Sequence, residues 1–100
     1  MSEESTVGIL TETELQKRLA ERPGWVANGA AIVREFERPG GFMGALSFVN
    51  QLAEAAEAMN HHPDIGISWN RVTVSIGSHR LGGVTEQCLA LAAEADRLAG

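Results

Sequence analysis

Residues 42–63 read FMGALSFVNQLAEAAEAMNHHP, and this stretch decides the fold because it carries the longest periodic pattern in the chain. Its apolar residues recur at steps of three or four, which places them on one face of a helix. Polar side chains mark the opposite face, and Pro63 disfavours helical geometry at the residue before it. The pattern predicts an amphipathic helix that begins near Phe42 and ends near His61.

A predicted β-hairpin lies on each side of this helix. Before the helix, a strand from Trp25 leads into Asn28-Gly29, a pair that suits a type I′ turn, and the chain returns over 31–37. After the helix, residues 65–76 alternate between apolar and small or polar side chains, with a turn expected at Asn70-Arg71.

Two further helices are expected towards the ends of the chain. Thr11 and Glu14 form a capping box that starts the first helix, and Thr85 is a plausible N-cap for the last. Residues 1–10 are expected to be a flexible tail, and residues 11–100 a single domain. The element order α-β-β-α-β-β-α predicts an α+β fold, a four-stranded antiparallel sheet with three helices on one face.

Composition excludes several function classes. The 13 acidic and 8 basic residues give a net charge of −5, which disfavours direct contact with nucleic acid. Cys88 is the single cysteine, so no intrachain disulfide can form and a reducing compartment fits. No apolar run approaches the ~18 residues that span a bilayer. We therefore expect a cytoplasmic protein without membrane contact.

Three histidines are the candidates for chemistry, because imidazole can pass protons near neutral pH. His61, His62 and His79 all fall at the ends of predicted elements, where an open pocket is easily built. Glu57 lies four residues before His61 on the predicted helix, so its carboxylate could pair with that ring. The helix macrodipole would also favour the protonated form of His61.

Two other interpretations of the histidines stay open on the pattern alone. Each could be an ordinary surface residue that caps a helix or strand. A zinc site is disfavoured, because the adjacent His61 and His62 point in different directions and no H-x-x-x-H pair is present. Cys88 falls on the apolar face of the last helix, where we expect a buried, inert thiol.

The sequence AEAMNHHP at 56–63 resembles the pterin-4a-carbinolamine dehydratase family. Val72-Thr73-Val74, Ser78-His79 and Gly83-Val84-Thr85 continue the resemblance, which runs from about Thr11 to the C-terminus. The family's fold has the element order expected above. The resemblance implies an enzyme that expels water from a 4a-hydroxytetrahydropterin and gives a quinonoid dihydropterin, without metal or cofactor, in the recycling of a tetrahydrobiopterin-type cofactor.

The resemblance also implies which residues form the site. A protonated His61 supported by Glu57 is the expected proton donor, and His62 or His79 the expected base. The implied catalytic residues are His61, His62 and His79, and the implied substrate-binding residues are Glu57, Pro63 and Ser78.

Three positions depart from the family's pattern. Ile65 stands where an aromatic residue is usual, and Gln87 and Cys88 replace a basic residue and an aspartate that could orient a histidine. These departures keep a second hypothesis open, a non-catalytic dimerisation or assembly-helper module with the same fold. In either case the resemblance implies a homodimer or a homotetramer.

Overall fold

A computed structural model describes residues 8–100. The predicted element order α-β-β-α-β-β-α is confirmed. The helices and strands are α1 (Glu12–Ala20), β1 (Val26–Asn28), β2 (Ala31–Glu37), α2 (Gly41–Met59), β3 (Asp64–Ser68), β4 (Arg71–Ile76) and α3 (Glu86–Ala99). No helix within this described range is long and apolar enough to cross a membrane.

The four strands form one antiparallel sheet in the order β1-β2-β4-β3, which confirms the predicted fold class. Burial alternates along the central strand β4, where Val72, Val74 and Ile76 are fully buried. Arg71 and Thr73 point to the opposite, open face, as the alternation predicts. The helices therefore cover one face of the sheet, with the core between the two layers.

The core joins helix and sheet through aromatic and aliphatic contacts. Phe36 of β2 packs against Phe48 of α2 with ring centroids 4.9 Å apart, and against Trp25 at 6.0 Å. Leu52 of α2 and Leu91 of α3 have no exposed surface. These contacts fix the ends of α2 and α3 relative to β4, and so they fix the elements that carry the histidines.

Both hairpin turns lie one residue away from their predicted positions. Asn28 pairs with Ala31, so the first loop is Gly29-Ala30, in which only Gly29 has a positive φ. Ser68 pairs with Arg71, so the second loop begins at Trp69, whose φ is 56°. A one-residue slip would turn every strand side chain to the other face, so the buried face of the sheet sets the register.

Helix α2 ends two residues earlier than predicted. Asn60 takes the left-handed conformation, with a φ of 52°, and its N–H donates to the carbonyl of Glu57. The N–H of His61 donates to the carbonyl of Ala56 at 3.0 Å. The two bonds make a Schellman motif, which places His61 beyond the helix.

The start of the described chain is tied to the loop before α3. The N–H of Leu10 donates to the carbonyl of Val84 at 2.8 Å, and the Leu10 side chain packs against the core. The predicted capping box between Thr11 and Glu14 is confirmed. Residues 1–7 of the predicted tail lie outside the described residues, and the tail stays a prediction.

Candidate active site

All three histidines line one pocket of about 340 Å³. The Schellman turn after α2 presents His61 and His62, and the loop after β4 presents His79. Seven other residues complete the lining: Asn60, Gly77, Ser78, Arg80, Leu81, Thr85 and Gln87.

The loop after β4 is held in place by its own backbone. The N–H of Ser78 donates to the carbonyl of Gly83 at 2.8 Å, and the N–H of Gly82 donates back to the carbonyl of Ser78 at 2.7 Å. The Ser78 hydroxyl accepts the N–H of Leu81 at 3.1 Å. These bonds close the chain into a tight loop that points His79 outward.

Gly77 lets this loop lie against the first hairpin. A Cβ at this position would come within 2.5 Å of the carbonyl oxygen of Ala30, a distance that Cβ atoms essentially never show. A side chain at this position would therefore push the loop and the first hairpin apart. The requirement for glycine fixes the distance between the pocket wall and the sheet.

The expected pair between Glu57 and His61 is wrong. The Glu57 carboxylate lies 2.6 Å from Nε2 of His62 instead. The reason is the early end of α2, because His61 leaves the helical spacing on which the prediction depended. Both partners of the observed pair are largely exposed, so they lie at the mouth of the pocket.

His61 turns inward, towards the first turn of α3. Its Nε2 lies 3.1 Å from Sγ of Cys88, which is fully buried as predicted. Burial lowers the pKa of His61, and the charges of His62 and His79 lower it further. The expectation that the helix terminus would favour a protonated His61 is therefore also wrong, since the ring favours its neutral form.

His79 lies at the outer rim of the pocket. Its Nε2 is 3.7 Å from the carboxylate of Asp64, the first residue of β3. The side chains of His79 and Asp64 are both largely exposed. This distance exceeds that of a hydrogen bond, so the two groups interact as a loose ion pair when the ring is protonated.

Only one of the three predicted substrate-binding residues lies in the lining of the pocket. Ser78 lines the pocket, whereas Glu57 and Pro63 lie beside it. Within residues 8–100, no group of three or more histidine, cysteine, aspartate or glutamate side chains could hold a metal ion.

Arg80 and Gln87 are among the lining residues that sequence reasoning did not place in the site. Arg80 lines the pocket, and the only indication of this in the sequence was its position next to His79. Gln87, noted as a departure from the family's pattern, donates from Nε2 to the carbonyl of Met59 at 3.1 Å. This bond ties the first turn of α3 to the end of α2, where the histidine turn begins.

Sequence comparisons cover nearly the whole chain. The family model described as pterin 4 alpha carbinolamine dehydratase matches residues 9–98. A Chloroflexus aurantiacus protein named "Putative pterin-4-alpha-carbinolamine dehydratase" is 45% identical over 91 residues, 91% of this chain and 97% of that protein. A Koribacter versatilis protein with the same name is 48% identical over 83 residues, 83% of this chain and 87% of that protein.

Two solved structures have a similar fold. The crystal structure of a transcriptional coactivator/pterin dehydratase from Brucella melitensis has a TM-score of 0.85 and 36% identity, and the match covers 92% of this chain and 99% of that one. A pterin dehydratase-like protein identified as a RuBisCO assembly factor in the alpha-carboxysome has a TM-score of 0.61 and 26% identity, with 76% and 87% covered.

Proposed function

Because this chain belongs to the pterin 4 alpha carbinolamine dehydratase family, we propose that its histidine pocket dehydrates a 4a-hydroxytetrahydropterin to the quinonoid dihydropterin. The observation that carries the proposal is the convergence of His61, His62 and His79 on one pocket. Three proton-transfer groups within one cavity suit a reaction that consists of proton transfers and one bond cleavage.

The proposed reaction needs one proton donor and one proton acceptor. The hydroxyl on ring carbon 4a gains a proton and leaves as water when its carbon–oxygen bond breaks. The adjacent ring nitrogen loses its proton, and its electron pair forms the carbon–nitrogen double bond. Atoms and electrons balance without an oxidant, so the proposal invokes neither a metal nor a cofactor.

His62 is the proposed proton donor. The Glu57 carboxylate, 2.6 Å from Nε2, gives the imidazolium form of His62 a charge-assisted hydrogen bond. The proton acceptor is His61 or His79, the other two imidazoles of the pocket. This assignment replaces the expectation in which Glu57 supported a protonated His61.

The proposed contacts to the pterin use the polar edge of the pocket. The Ser78 hydroxyl accepts one backbone N–H and keeps a second lone pair for the amino group of the pterin. Pro63 follows the two histidines and holds the chain extended as it enters β3, so it shapes the rim. Glu57 acts at the same rim through His62.

Dehydration of a 4a-hydroxytetrahydropterin generated in situ tests the proposal. Ultraviolet absorbance follows the reaction with and without the protein, and we expect clear acceleration over the uncatalysed rate. His79→Ala should lose about 10²–10⁴-fold of that acceleration. Glu35→Gln, on the open face of the sheet, is the matched control and should retain full activity. No acceleration by folded wild-type protein would refute the proposal.

A second candidate function is that of an assembly helper without catalysis. It is favoured by the similarity in fold to the RuBisCO assembly factor and by exposed apolar side chains near the start of α2. Phe42 is 46% exposed and Met43 71%, and Trp69 of the β3–β4 turn is 68% exposed. Capture of one stoichiometric partner by a protein that shows no pterin turnover would favour this function over the dehydratase.

Self-association into a homodimer or homotetramer is also part of the proposal. The edge strands β1 and β3 leave backbone groups free to pair, and the exposed apolar side chains near α2 offer a second surface. Light scattering coupled to gel filtration would give the number of subunits. Met43→Glu should reduce that number if the α2 surface is used. A cytoplasmic location and a role in recycling a tetrahydrobiopterin-type cofactor stay predictions.

A further inference from the structure

His61 belongs to a chain of three polar side chains, and the proposed reaction has not used the other two, Cys88 and Thr85. Nε2 of His61 is 3.1 Å from Sγ of Cys88, and that sulfur is 3.3 Å from Oγ1 of Thr85. Cys88 has no exposed surface and Thr85 is 8% exposed, whereas His61 is half-buried and lines the pocket. The chain therefore passes through a buried thiol, and its two end residues, His61 and Thr85, both line the pocket.

The Thr85 hydroxyl determines the direction of the hydrogen bonds in this chain. Its oxygen already accepts the N–H of Cys88 at 3.3 Å, as the N-cap of α3. Its own proton also needs an acceptor, because buried hydroxyl groups are rarely left without one. Among residues 8–100, the acceptor within hydrogen-bond distance is Sγ of Cys88. The hydroxyl therefore donates to the sulfur.

A sulfur that accepts from Thr85 can direct its own proton only to His61. A thiol is a weak donor with one proton, and Nε2 of the ring is the remaining group within its reach. A nitrogen that accepts a hydrogen bond carries no proton, so the neutral ring must carry its proton on Nδ1. Burial lowers the pKa of His61, which agrees with a neutral ring.

We propose that Thr85 and Cys88 are positioning residues, whose hydrogen-bond chain fixes His61 as the neutral tautomer with its proton on Nδ1. With Nε2 turned to the thiol, Nδ1 is the ring nitrogen left for the pocket. His61 then offers the substrate a hydrogen-bond donor and not a base.

The consequence for mechanism rests on the proposed function. If the pocket dehydrates a hydroxypterin, the Nδ1–H of His61 can hold an acceptor atom of the pterin in place, and the proton acceptor is His79. The tautomer itself does not depend on any reaction. It can therefore be tested separately from catalysis.

The test is long-range proton–nitrogen correlation NMR on the whole protein labelled with ¹⁵N, at a pH where His61 is neutral. The pattern of two-bond couplings distinguishes a ring protonated on Nδ1 from one protonated on Nε2, and His61→Gln assigns the signals. In wild-type protein we expect the Nδ1–H pattern. Cys88→Ala removes the donor, and the ring should shift to the Nε2–H form that free imidazole side chains prefer.

Cys88→Ser is the matched control, because its hydroxyl can donate as the thiol does, and it should keep the Nδ1–H pattern. Cys88→Asp places an acceptor at the same position and should give the Nε2–H pattern. The signals of His62 and His79 should not change in any of these variants. An Nε2–H pattern in wild-type protein, or no change in a folded Cys88→Ala protein, would overturn the inference.

The result separates the two proposals. The Nδ1–H pattern in a protein that does not accelerate dehydration would leave the positioning inference standing and refute the proposed function. Full dehydratase activity with the Nε2–H pattern would do the opposite and return His61 to the role of proton acceptor.

Discussion

Two polar clusters in this molecule differ in how fully their hydrogen-bonding groups are used. Around Asp96 of α3, three donors converge on one carboxylate: Arg34 donates at 2.6 Å, Arg22 at 2.9 Å and Nε1 of Trp25 at 3.0 Å. The carboxylate is 19% exposed. One partly buried anion therefore joins α3 to β2 and to the segment after α1.

The histidine pocket is different, because each ring has one engaged nitrogen. Nε2 of His61 meets Cys88, Nε2 of His62 meets Glu57, and Nε2 of His79 lies near Asp64. Within the part of the chain that the structure describes, no Nδ1 atom has a hydrogen-bond partner. The carboxylate of Asp96 is thus surrounded by donors from the protein itself, whereas the histidine pocket keeps ring nitrogens available for the proposed substrate.

The largest expected effect is on the histidine pocket. His61→Ala should lower the dehydration rate by about 10²-fold, because it removes the ring that is proposed to hold the pterin in place. The free energy of unfolding of the variant should stay close to that of wild type. The ring is half-buried, and the interaction that is lost is a weak hydrogen bond with the Cys88 thiol. Rate assays and urea unfolding of the same preparation give both quantities. Equal activity in the variant would mean that this cluster is structural too.

The second effect tests the Asp96 cluster. Asp96→Ala leaves two guanidinium groups and an indole N–H without their anion, which should cost about 2–3 kcal/mol of unfolding free energy. The melting temperature of the folded variant should fall, while the dehydration rate at low temperature stays near that of wild type. Glu94→Ala is the control, because its pair with Arg97 is exposed to solvent, and the variant should unfold at nearly the same urea concentration as wild type. Similar losses in both variants would contradict the comparison.

The sequence predicted the elements because each has a local signal. The periodicity of 42–59, the capping box at Thr11 and the alternation along β4 all depend on residues near each other in the chain. The Asp96 cluster escaped prediction because its partners are 62 to 74 residues away. Spacing carries no information at that range, and only the packed sheet brings these groups together.

The site was predicted in part, and its failures have a local cause. The convergence of the histidines followed from their positions at element ends and from the resemblance. Their partners did not, because one left-handed residue, Asn60, ends α2 early and exchanges the neighbours of His61 and His62. Asparagine tolerates that conformation better than most residues, so the signal was present but weaker than the helical periodicity.

A smaller effect is expected at the partner of His62. Glu57→Gln keeps a hydrogen bond to the ring but removes the charge, which should lower the dehydration rate about threefold to tenfold. Glu54→Gln, one turn earlier on the exposed side of α2, is the matched control and should retain the wild-type rate. Steady-state kinetics on both variants gives the comparison. If Glu57→Gln had the same rate as the control, the charge of Glu57 would not assist His62 in the reaction.

The smallest effect is the pH dependence of stability that comes from His61. Burial and the nearby imidazoles hold its pKa in the folded protein below the value of about 6.5 in the unfolded chain. Above that value both states are neutral, and the full stability is present. As the pH falls below it, the unfolded chain binds a proton that the folded ring resists, so the free energy of unfolding decreases until the pH passes the folded pKa.

Urea unfolding of wild type and His61→Gln between about pH 7.5 and pH 5 isolates this contribution, since every other titrating group is common to both proteins. The wild-type protein should lose more stability over that interval than the variant. If the plots of unfolding free energy against pH were parallel for the two proteins, His61 would be as open to solvent as His79. The contrast between the inward ring of His61 and the exposed rings of His62 and His79 would then fail.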